Sequence, residues 1–551
     1  MKVNKNSFFA VIKQGGIKYS FRKKTQNDLF KAELINEGDT VRLEVTPFSE
    51  TDFDEICIYA DTDISERDRI FLNGYQSWTD SKELTVNDRV KGIDHIPEAL
   101  VRKFNLDRYG DYNFTDYRSG YGRLHGFTYG YIRFEDSYTL IGSLDEQTGF
   151  TVISFSPKRQ KVKVSLECEG AVFGEKFTAI DIAVLDGKED EVFDKWFSLM
   201  EISAPSALPI EGYTSWYRHY QDIDENKLLH DLRALGESEL TRADIFQIDD
   251  GYQTAVGDWL SIDKKKFPNG IAPICEKIHE KGMLAGLWLA PFVVEKDSDI
   301  FKYHKDWLVL DETGEPVAAG CNWSTSYALD IYHNEVRAYL KEVFRTVLDE
   351  WGFDLVKLDF LYAACILPAY GKTRGRIMAD GMSFLRELVG DKLILGCGVP
   401  LGSAFGMVDY CRIGCDVGLS WNDNPVMRLT HRERVSTKNS ITNTIFRRQL
   451  DNRAFLNDPD VFLLRDEDIS LFNCQKQLLS VVNNIFGSVY FTSDDHSRYM
   501  DKQIKMLSTA KRLRNAKAKE LISEGDTVII KLDINGKEKI IGIDLANGKI
   551  V

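Results

Sequence analysis

The stretch NEVRAYLKEVFRTVLDEWGFDLVKLDF, Asn334 to Phe360, decides the fold. Its first part places Val336, Tyr339, Leu340, Val343, Phe344, Val347, Leu348 and Trp351 at i, i+3, i+4 spacing. That spacing predicts an amphipathic helix with Asn334 as N-cap and Gly352 at its end. The second part, residues 355–360, is a short apolar run that finishes on Asp359 and Phe360. A helix feeding an apolar strand whose polar residues sit at its carboxyl end is one unit of a parallel α/β sheet.

Working outward, the same unit recurs. Apolar runs of strand length lie at residues 212–217, 243–250, 283–291, 355–360, 392–398, 410–416, 455–460 and 488–495. Eight such runs are what a (β/α)₈ TIM barrel requires. Upstream, residues 1 to about 190 read as β-rich, with short strands expected at 40–45, 127–134, 139–143 and 160–167 separated by Gly, Asp and Asn turns. A sandwich is expected there, and the Pro-bearing segment 203–209 reads as a linker. Downstream, Asn535-Gly536 and Asn547-Gly548 lie between apolar runs and predict hairpins. The expected architecture is α/β: a β-sandwich over 1–205, a catalytic barrel over 206–495 and a small C-terminal β-domain over 496–551, packed on the barrel because it is too short to bury much alone.

Composition narrows the function. Of 551 residues, 70 are Lys or Arg and 85 are Asp or Glu, a net charge of −15 that argues against a nucleic-acid partner. No apolar run approaches the roughly 20 residues that span a bilayer, and no signal-peptide core is evident, so a cytoplasmic location without membrane attachment is expected. Nine cysteines without a CxxC pair imply reduced thiols and neither a zinc site nor a disulfide framework. The nine histidines form no HExxH, and no metal or organic cofactor is expected. Lys372 lies in Gly371-Lys-Thr373, which resembles the end of a phosphate loop, but Ile366 stands where its first glycine belongs. His219, Cys411 and Cys415 read first as structural or lining residues.

Chemistry gathers at the ends of the runs. Asp249 and Asp250, Trp288, Lys357 and Asp359, Cys397, Arg412 and Asp416, and Asp458 and Asp460 all lie there, where a barrel builds its active site. A single terminal Asp is as readily a helix cap. Five or six on one face, with a Lys, an Arg and several Trp, suit a polyhydroxyl ligand and a cationic transition state. Alternation along a strand points Lys357 and Asp359 the same way, and Arg412 and Asp416 likewise. Lys357, two residues from Asp359, favours an ionised nucleophile there. Asp416 is a candidate acid/base, although Arg412 would also depress its pKa, so charge alone leaves that assignment open.

The segments Ser215-Trp-Tyr217, Phe246-Gln-Ile-Asp-Asp250, Gly257-Asp-Trp259, Gly286–Phe292, Lys357-Leu-Asp-Phe360, Leu395-Gly-Cys-Gly398, Arg412-Ile-Gly-Cys-Asp416 and Leu456-Asn-Asp-Pro-Asp460 together resemble the α-galactosidases of glycoside hydrolase family 36, the compact bacterial type. The resemblance implies a retaining exo-α-galactosidase that acts on melibiose- or raffinose-type oligosaccharides without a cofactor, on an N-terminal β-supersandwich, a barrel and a C-terminal β-domain. It implies Asp359 as nucleophile and Asp416 as acid/base. It also implies that Asp249 and Asp250 hold O4 and O6 of galactose, and that Lys357 and Arg412 hold other hydroxyls. Trp216, Tyr217, Trp288 and Cys397 would border the sugar, and Asn73-Gly-Tyr-Gln-Ser-Trp78 resembles a loop that brings Trp78 over it. Relatives of this family often assemble, so a homo-oligomer is a further expectation. Thr214 and Cys415 depart from the family pattern near the pocket, which leaves open galactose, N-acetylgalactosamine or arabinopyranose as the sugar held there; a related α-glycosidase or transglycosylase is the runner-up. A non-catalytic sugar-binding protein is the reading from another class.

Overall fold

The computed structural model describes residues 2–115, 119–238, 243–430, 434–514 and 516–551. The amino-terminal part is a sandwich of two antiparallel sheets, one of six strands and one of eight. The strands read from sequence are present, as Thr40–Pro47, Ser137–Ser143 and Lys161–Leu166. The run 127–134 is divided between Leu124–Phe127 and Tyr129–Phe134, which belong to different sheets. Thr128, at φ +66°, makes the corner.

The eight-stranded sheet is apolar on both faces. One face supplies Leu43, Ile132, Ile141 and Ile182 to the sandwich interior with Ile12, Ile58 and Val164 from the other sheet. The opposite face, with Tyr129, Tyr131 and Leu140, continues into the core that fills the barrel region. Between them sits helix Glu189–Leu199, whose Trp196 is fully buried, donates Nε1–H to the Ser143 carbonyl at 2.8 Å and meets Phe405 of the barrel edge-on. The amino-terminal part is therefore welded to the barrel through a shared apolar core, not tethered to it.

The barrel strands are β1 Ile210–Thr214, β2 Ile245–Ile248, β3 Leu284–Leu289, β4 Leu355–Leu358, β5 Leu393–Gly396, β6 Tyr410–Arg412, β7 Leu456–Asp458 and β8 Val489–Thr492. Each falls within one of the eight expected runs or within two residues of it. All neighbours pair in parallel, and the Ser488 N–H bonded to the Asn457 carbonyl at 2.9 Å draws β8 against β7 to close the ring. The strands are buried along nearly their whole length, which is why they read as continuous apolar runs.

The helix before β4 spans Asn334–Arg345 and continues as a π-helical turn over Thr346–Glu350. Its first helical residue is Asn334, so the N-cap is His333 and not Asn334 as the residue type suggested. The carboxyl-terminal strands Lys517–Glu524, Thr527–Ile534, Lys537–Asp544 and Lys549–Ile550 form one antiparallel sheet. Asn535 and Gly536, at φ +53° and +79°, make the turn between the second and third of them, as an Asn-Gly hairpin demands. Trp421 ties this sheet to the barrel by donating Nε1–H to the Leu545 carbonyl at 3.2 Å. No helix among the described residues is long and apolar enough to cross a membrane.

Candidate active site

At the carboxyl ends of the barrel strands lies a cavity of about 490 Å³. Of the residues singled out from sequence, Trp78, Trp216, Asp249, Asp250, Trp288, Lys357, Asp359 and Asp416 line it. Tyr217, Cys397 and Arg412 are buried behind that lining; Cys397 and Arg412 each support a residue that faces the cavity, and Tyr217 supports the buried Asp460. Cys397 Sγ accepts the Trp78 indole N–H at 3.3 Å. Arg412 donates to Asp416 at 2.9 Å, and Tyr217 donates its hydroxyl to Asp460.

Each carboxylate is held by a distinct set of donors. Asp249 Oδ2 accepts from Lys357 Nζ at 2.9 Å and Gln247 Nε2 at 2.8 Å, and its Oδ1 accepts the Asp250 N–H at 3.0 Å. Asp250 accepts from Gln253 at 2.6 Å, Gln221 at 2.8 Å and the Trp323 indole at 2.9 Å. Burial nonetheless raises the Asp250 pKa above the ordinary carboxylate range, because its donors are neutral. Asp359, at the end of β4, accepts the Phe360 N–H at 2.8 Å on one oxygen and the Trp288 indole N–H at 3.2 Å on the other.

Lys357 behaves differently from the sequence expectation. Its ammonium bonds to Asp249, and although its charge lowers the Asp359 pKa, burial outweighs it, so Asp359 sits above its ordinary value. The neighbouring Asp416 charge adds to that rise, which places the two carboxylates within electrostatic reach of each other. Their settings differ. Asp359 is 7% exposed at the cavity floor, whereas the Asp416 side chain is 41% exposed at its rim. Strand alternation does not explain the pairing of Arg412 with Asp416, because β6 ends at Arg412 and Asp416 lies in the loop beyond; the contact is a direct ion pair.

Trp78 arrives from the amino-terminal part on the loop after strand Arg69–Leu72. The fully buried Arg447 clamps that loop, donating to the Asn73 side chain at 2.9 Å, the Gln76 carbonyl at 3.1 Å, the Ser81 hydroxyl at 3.0 Å and the Ser77 carbonyl. Gly398, at φ +57°, lets Trp78 approach: a Cβ there would lie 2.8 Å from the indole ring. Trp78 and Trp323 pack against Phe360 with centroids 5.0 Å away in each case, and Trp288 meets Trp323 at 6.1 Å. The result is an aromatic enclosure around a floor of carboxylates.

Several lining residues were not singled out beforehand: Leu106, Tyr109, Gln221, Cys321, Asn322, Trp323, Phe360, Met427 and Val435. Only Phe360 sat inside a quoted motif. Met427 lies on the short helix Pro425–Thr430; the others lie on loops whose local sequence carries no strand or helix signal, and Tyr109 comes from the amino-terminal part. Cys415 lines the cavity, whereas His219 pairs with Asp231 at 2.7 Å and Cys411 is buried in β6, both structural. Thr373 is the N-cap of helix Arg374–Val389, which accounts for the Gly-Lys-Thr sequence without a phosphate. Among the described residues no group of three or more His, Cys, Asp or Glu side chains is placed to hold a metal ion.

Comparison with known proteins follows the same lines. The melibiase family model matches residues 209–367. The α-galactosidase Mel36A of Lactobacillus acidophilus is 30% identical over 152 residues, 26% of this chain and 20% of the relative. The A type blood α-D-galactosamine galactosaminidase of Flavonifractor plautii is 32% identical over 184 residues, 30% of this chain and 16% of the relative. The chain thus matches about a fifth of the length of these curated relatives. Similarity to a solved structure is more extensive: the α-galactosidase TtGalA of Thermus thermophilus, in complex with p-nitrophenyl α-D-galactopyranoside, superposes with a TM-score of 0.73 and 25% identity over 96% of this chain and 98% of that one. The family 36 α-galactosidase AgaA of Geobacillus stearothermophilus, at 12% identity and a TM-score of 0.62 over 93% of this chain and 72% of that one, shares the fold. Fold and site define a (β/α)₈ barrel with a carboxylate-lined cavity at the carboxyl ends of its strands and an amino-terminal β-sandwich packed against it. Residues 209–367 thus resemble the melibiase family, and the chain as a whole is similar to an α-galactosidase of solved structure.

Proposed function

We propose that the protein hydrolyses terminal α-galactosides with retention of configuration, Asp359 acting as nucleophile and Asp416 as acid/base. The observation that carries this reading is the contrast between the two carboxylates that share one cavity. Asp359 is buried, with both oxygens fixed by the Trp288 and Phe360 N–H groups, which aims a lone pair and limits its freedom before attack. Asp416 is at the rim, where a leaving group departs and water enters, the position required of a group that first gives and then takes a proton.

In this mechanism Asp359 attacks the anomeric carbon while Asp416 protonates the glycosidic oxygen. The resulting galactosyl ester on Asp359 is cleaved by water, from which Asp416 removes a proton. Asp249 and Asp250 accept hydrogen bonds from hydroxyls of the sugar, Lys357 orders the remaining polar face, and Arg412 holds Asp416 from behind. Trp78, Trp216 and Trp288 exclude water and cover the apolar face of the ring. Support for galactose comes from the similarity to TtGalA over nearly the whole chain. The galactosaminidase among the relatives keeps N-acetylgalactosamine as the second reading. The nine free thiols fit a reducing, cytoplasmic setting.

The test is turnover of p-nitrophenyl α-galactoside and melibiose by the parent, Asp359→Ala and Asp416→Ala. Loss of at least about a thousandfold in kcat is expected for Asp359→Ala, since removing a nucleophile forfeits the covalent route. Parent-like turnover in that variant, or turnover only of the N-acetylgalactosaminide, would overturn the corresponding part of the reading.

A further inference from the structure

Behind Asp416 stands a buried ionic cluster, Arg412, Asp458 and Asp460, that does not itself line the cavity. Arg412 is shared among three carboxylates: NH1 to Asp416 at 2.9 Å, Nε to Asp458 at 3.0 Å and NH2 to Asp460 at 2.9 Å. Asp460 is 1% exposed. Its Oδ2 also accepts the Val417 N–H at 2.7 Å, and Val417 is the residue that follows Asp416. The same oxygen takes the Tyr217 hydroxyl. Asp460 thus grips the Asp416 segment twice, once through its backbone and once through the guanidinium that holds its side chain. The grip is maintained at a backbone cost: Asp460 lies at φ +73°, a left-handed conformation that residues with a Cβ avoid, and its own N–H is tied to Asp458 Oδ1 at 2.8 Å.

We infer that Asp460 is a positioning residue that fixes both the place and the charge environment of Asp416, acting through Arg412, the Val417 amide and Tyr217. The inference rests on Asp416 being the acid/base. The charged and titratable groups that face Asp460 are Arg412, Asp416 and Cys415 from the β6 end, Asp458 from its own strand, and Tyr217 after β1. The helices packed on this turn, Thr437–Phe446 and Asn473–Phe486, contribute neutral Ser440 and Asn483 to its main chain. One cation therefore faces three carboxylates. Burial pushes the Asp460 carboxyl above its ordinary range, Arg412 pulls it back, and Asp416 and Asp458 push it up again. Asp460 and Asp416 therefore share one guanidinium, and the charge on Asp460 sets how firmly Arg412 holds the Asp416 side chain that must reach the leaving oxygen.

The experiment compares kcat/KM on melibiose, whose leaving group needs protonation, with kcat/KM on p-nitrophenyl α-galactoside, whose leaving group does not. Asp460→Asn, which keeps the shape and removes the charge, is expected to lose at least about tenfold more on melibiose than on the aryl substrate. Tyr217→Phe removes one hydrogen bond to Asp460 and no charge, and should show the same leaving-group dependence to a smaller degree. It carries the test if Asp460→Asn does not fold. Equal losses on both substrates, or parent-like values, would overturn the inference and leave Asp460 a purely structural residue. Asp416→Ala is measured alongside: if it shows no leaving-group dependence, the acid/base assignment itself fails and the inference falls with it.

Discussion

Lys357→Met isolates the electrostatics of the cavity floor. The Lys357 ammonium is 8% exposed and bonds to Asp249, 3% exposed, at 2.9 Å. Removing one partner of a buried ion pair costs about 3–5 kcal/mol, because the other charge is left without compensation. Asp249 keeps Gln247 Nε2, the Asp250 N–H and the more distant Thr214 hydroxyl at 3.4 Å, so the low end, about 3 kcal/mol, is expected. The second effect falls on Asp359. Burial raises its pKa, and Lys357 is the strongest influence in the opposite direction. An opposite charge at such range lowers a carboxylate by about 1–3 pH units, and its loss should return that amount. The sign is fixed by the role: Asp359 must be ionised to attack, so the acid limb of kcat/KM moves to higher pH and activity near neutrality falls. The assay is the pH profile of kcat/KM on p-nitrophenyl α-galactoside, with urea denaturation to record stability. A variant with an unmoved acid limb would refute the claim that Lys357 holds Asp359 in its ionised form, however much its maximal rate had dropped.

Other outcomes follow from the same geometry. Trp78→Ala removes the ring above the cavity and the donor to Cys397, and should raise KM about tenfold, equivalent to about 1.4 kcal/mol; an unchanged KM would remove Trp78 from the sugar site. Arg447→Met strands the buried carbonyls of Gln76, Ser77 and Ile413, at about 1–3 kcal/mol for each unsatisfied group, so both the denaturation midpoint and affinity for galactose should fall, whereas a loss of stability with unaltered affinity would detach the loop from the site. Glu146 is pushed up to about 8 by burial, above the value of about 4.3 for an unfolded chain. The folded carboxyl therefore retains its proton where the unfolded one has lost it, and stability declines as pH rises from about 4 to about 8. Glu146→Gln removes this decline, so its Tm relative to the parent should increase from pH 5 to pH 8; a constant difference would contradict the shift.

The barrel was legible because its strands are buried on both faces. A run such as Leu355-Val-Lys-Leu358 has no solvent side to interrupt it, and its functional residues stand out at its end. The same logic located Asp249, Asp250, Trp288, Lys357 and Asp359. It worked less well where function depends on residues distant in sequence. Trp323 and Gln221 complete the Asp250 site from loops with no periodic signal, and Tyr109 bonds to Asn322 at 2.5 Å across two parts of the chain. Nor does sequence distinguish a residue that lines the cavity from one that holds a liner: Tyr217, Cys397 and Arg412 lie in motifs like those of Trp216, Lys357 and Asp416, yet side-chain direction puts them one layer back. Charge order was similarly hidden, because Lys357 is two residues from Asp359 but bonds to Asp249, 108 positions away.

The central claim is that Asp359 carries the sugar between the two chemical steps. Incubation with a slow fluorinated α-galactosyl fluoride, followed by peptide mass spectrometry, tests it directly. The account predicts one galactosyl adduct per chain, on the peptide bearing Asp359 and on that side chain, with turnover blocked in proportion to labelling. An adduct on another residue, or hydrolysis of p-nitrophenyl α-galactoside that releases β-galactose first with no adduct formed, would contradict it.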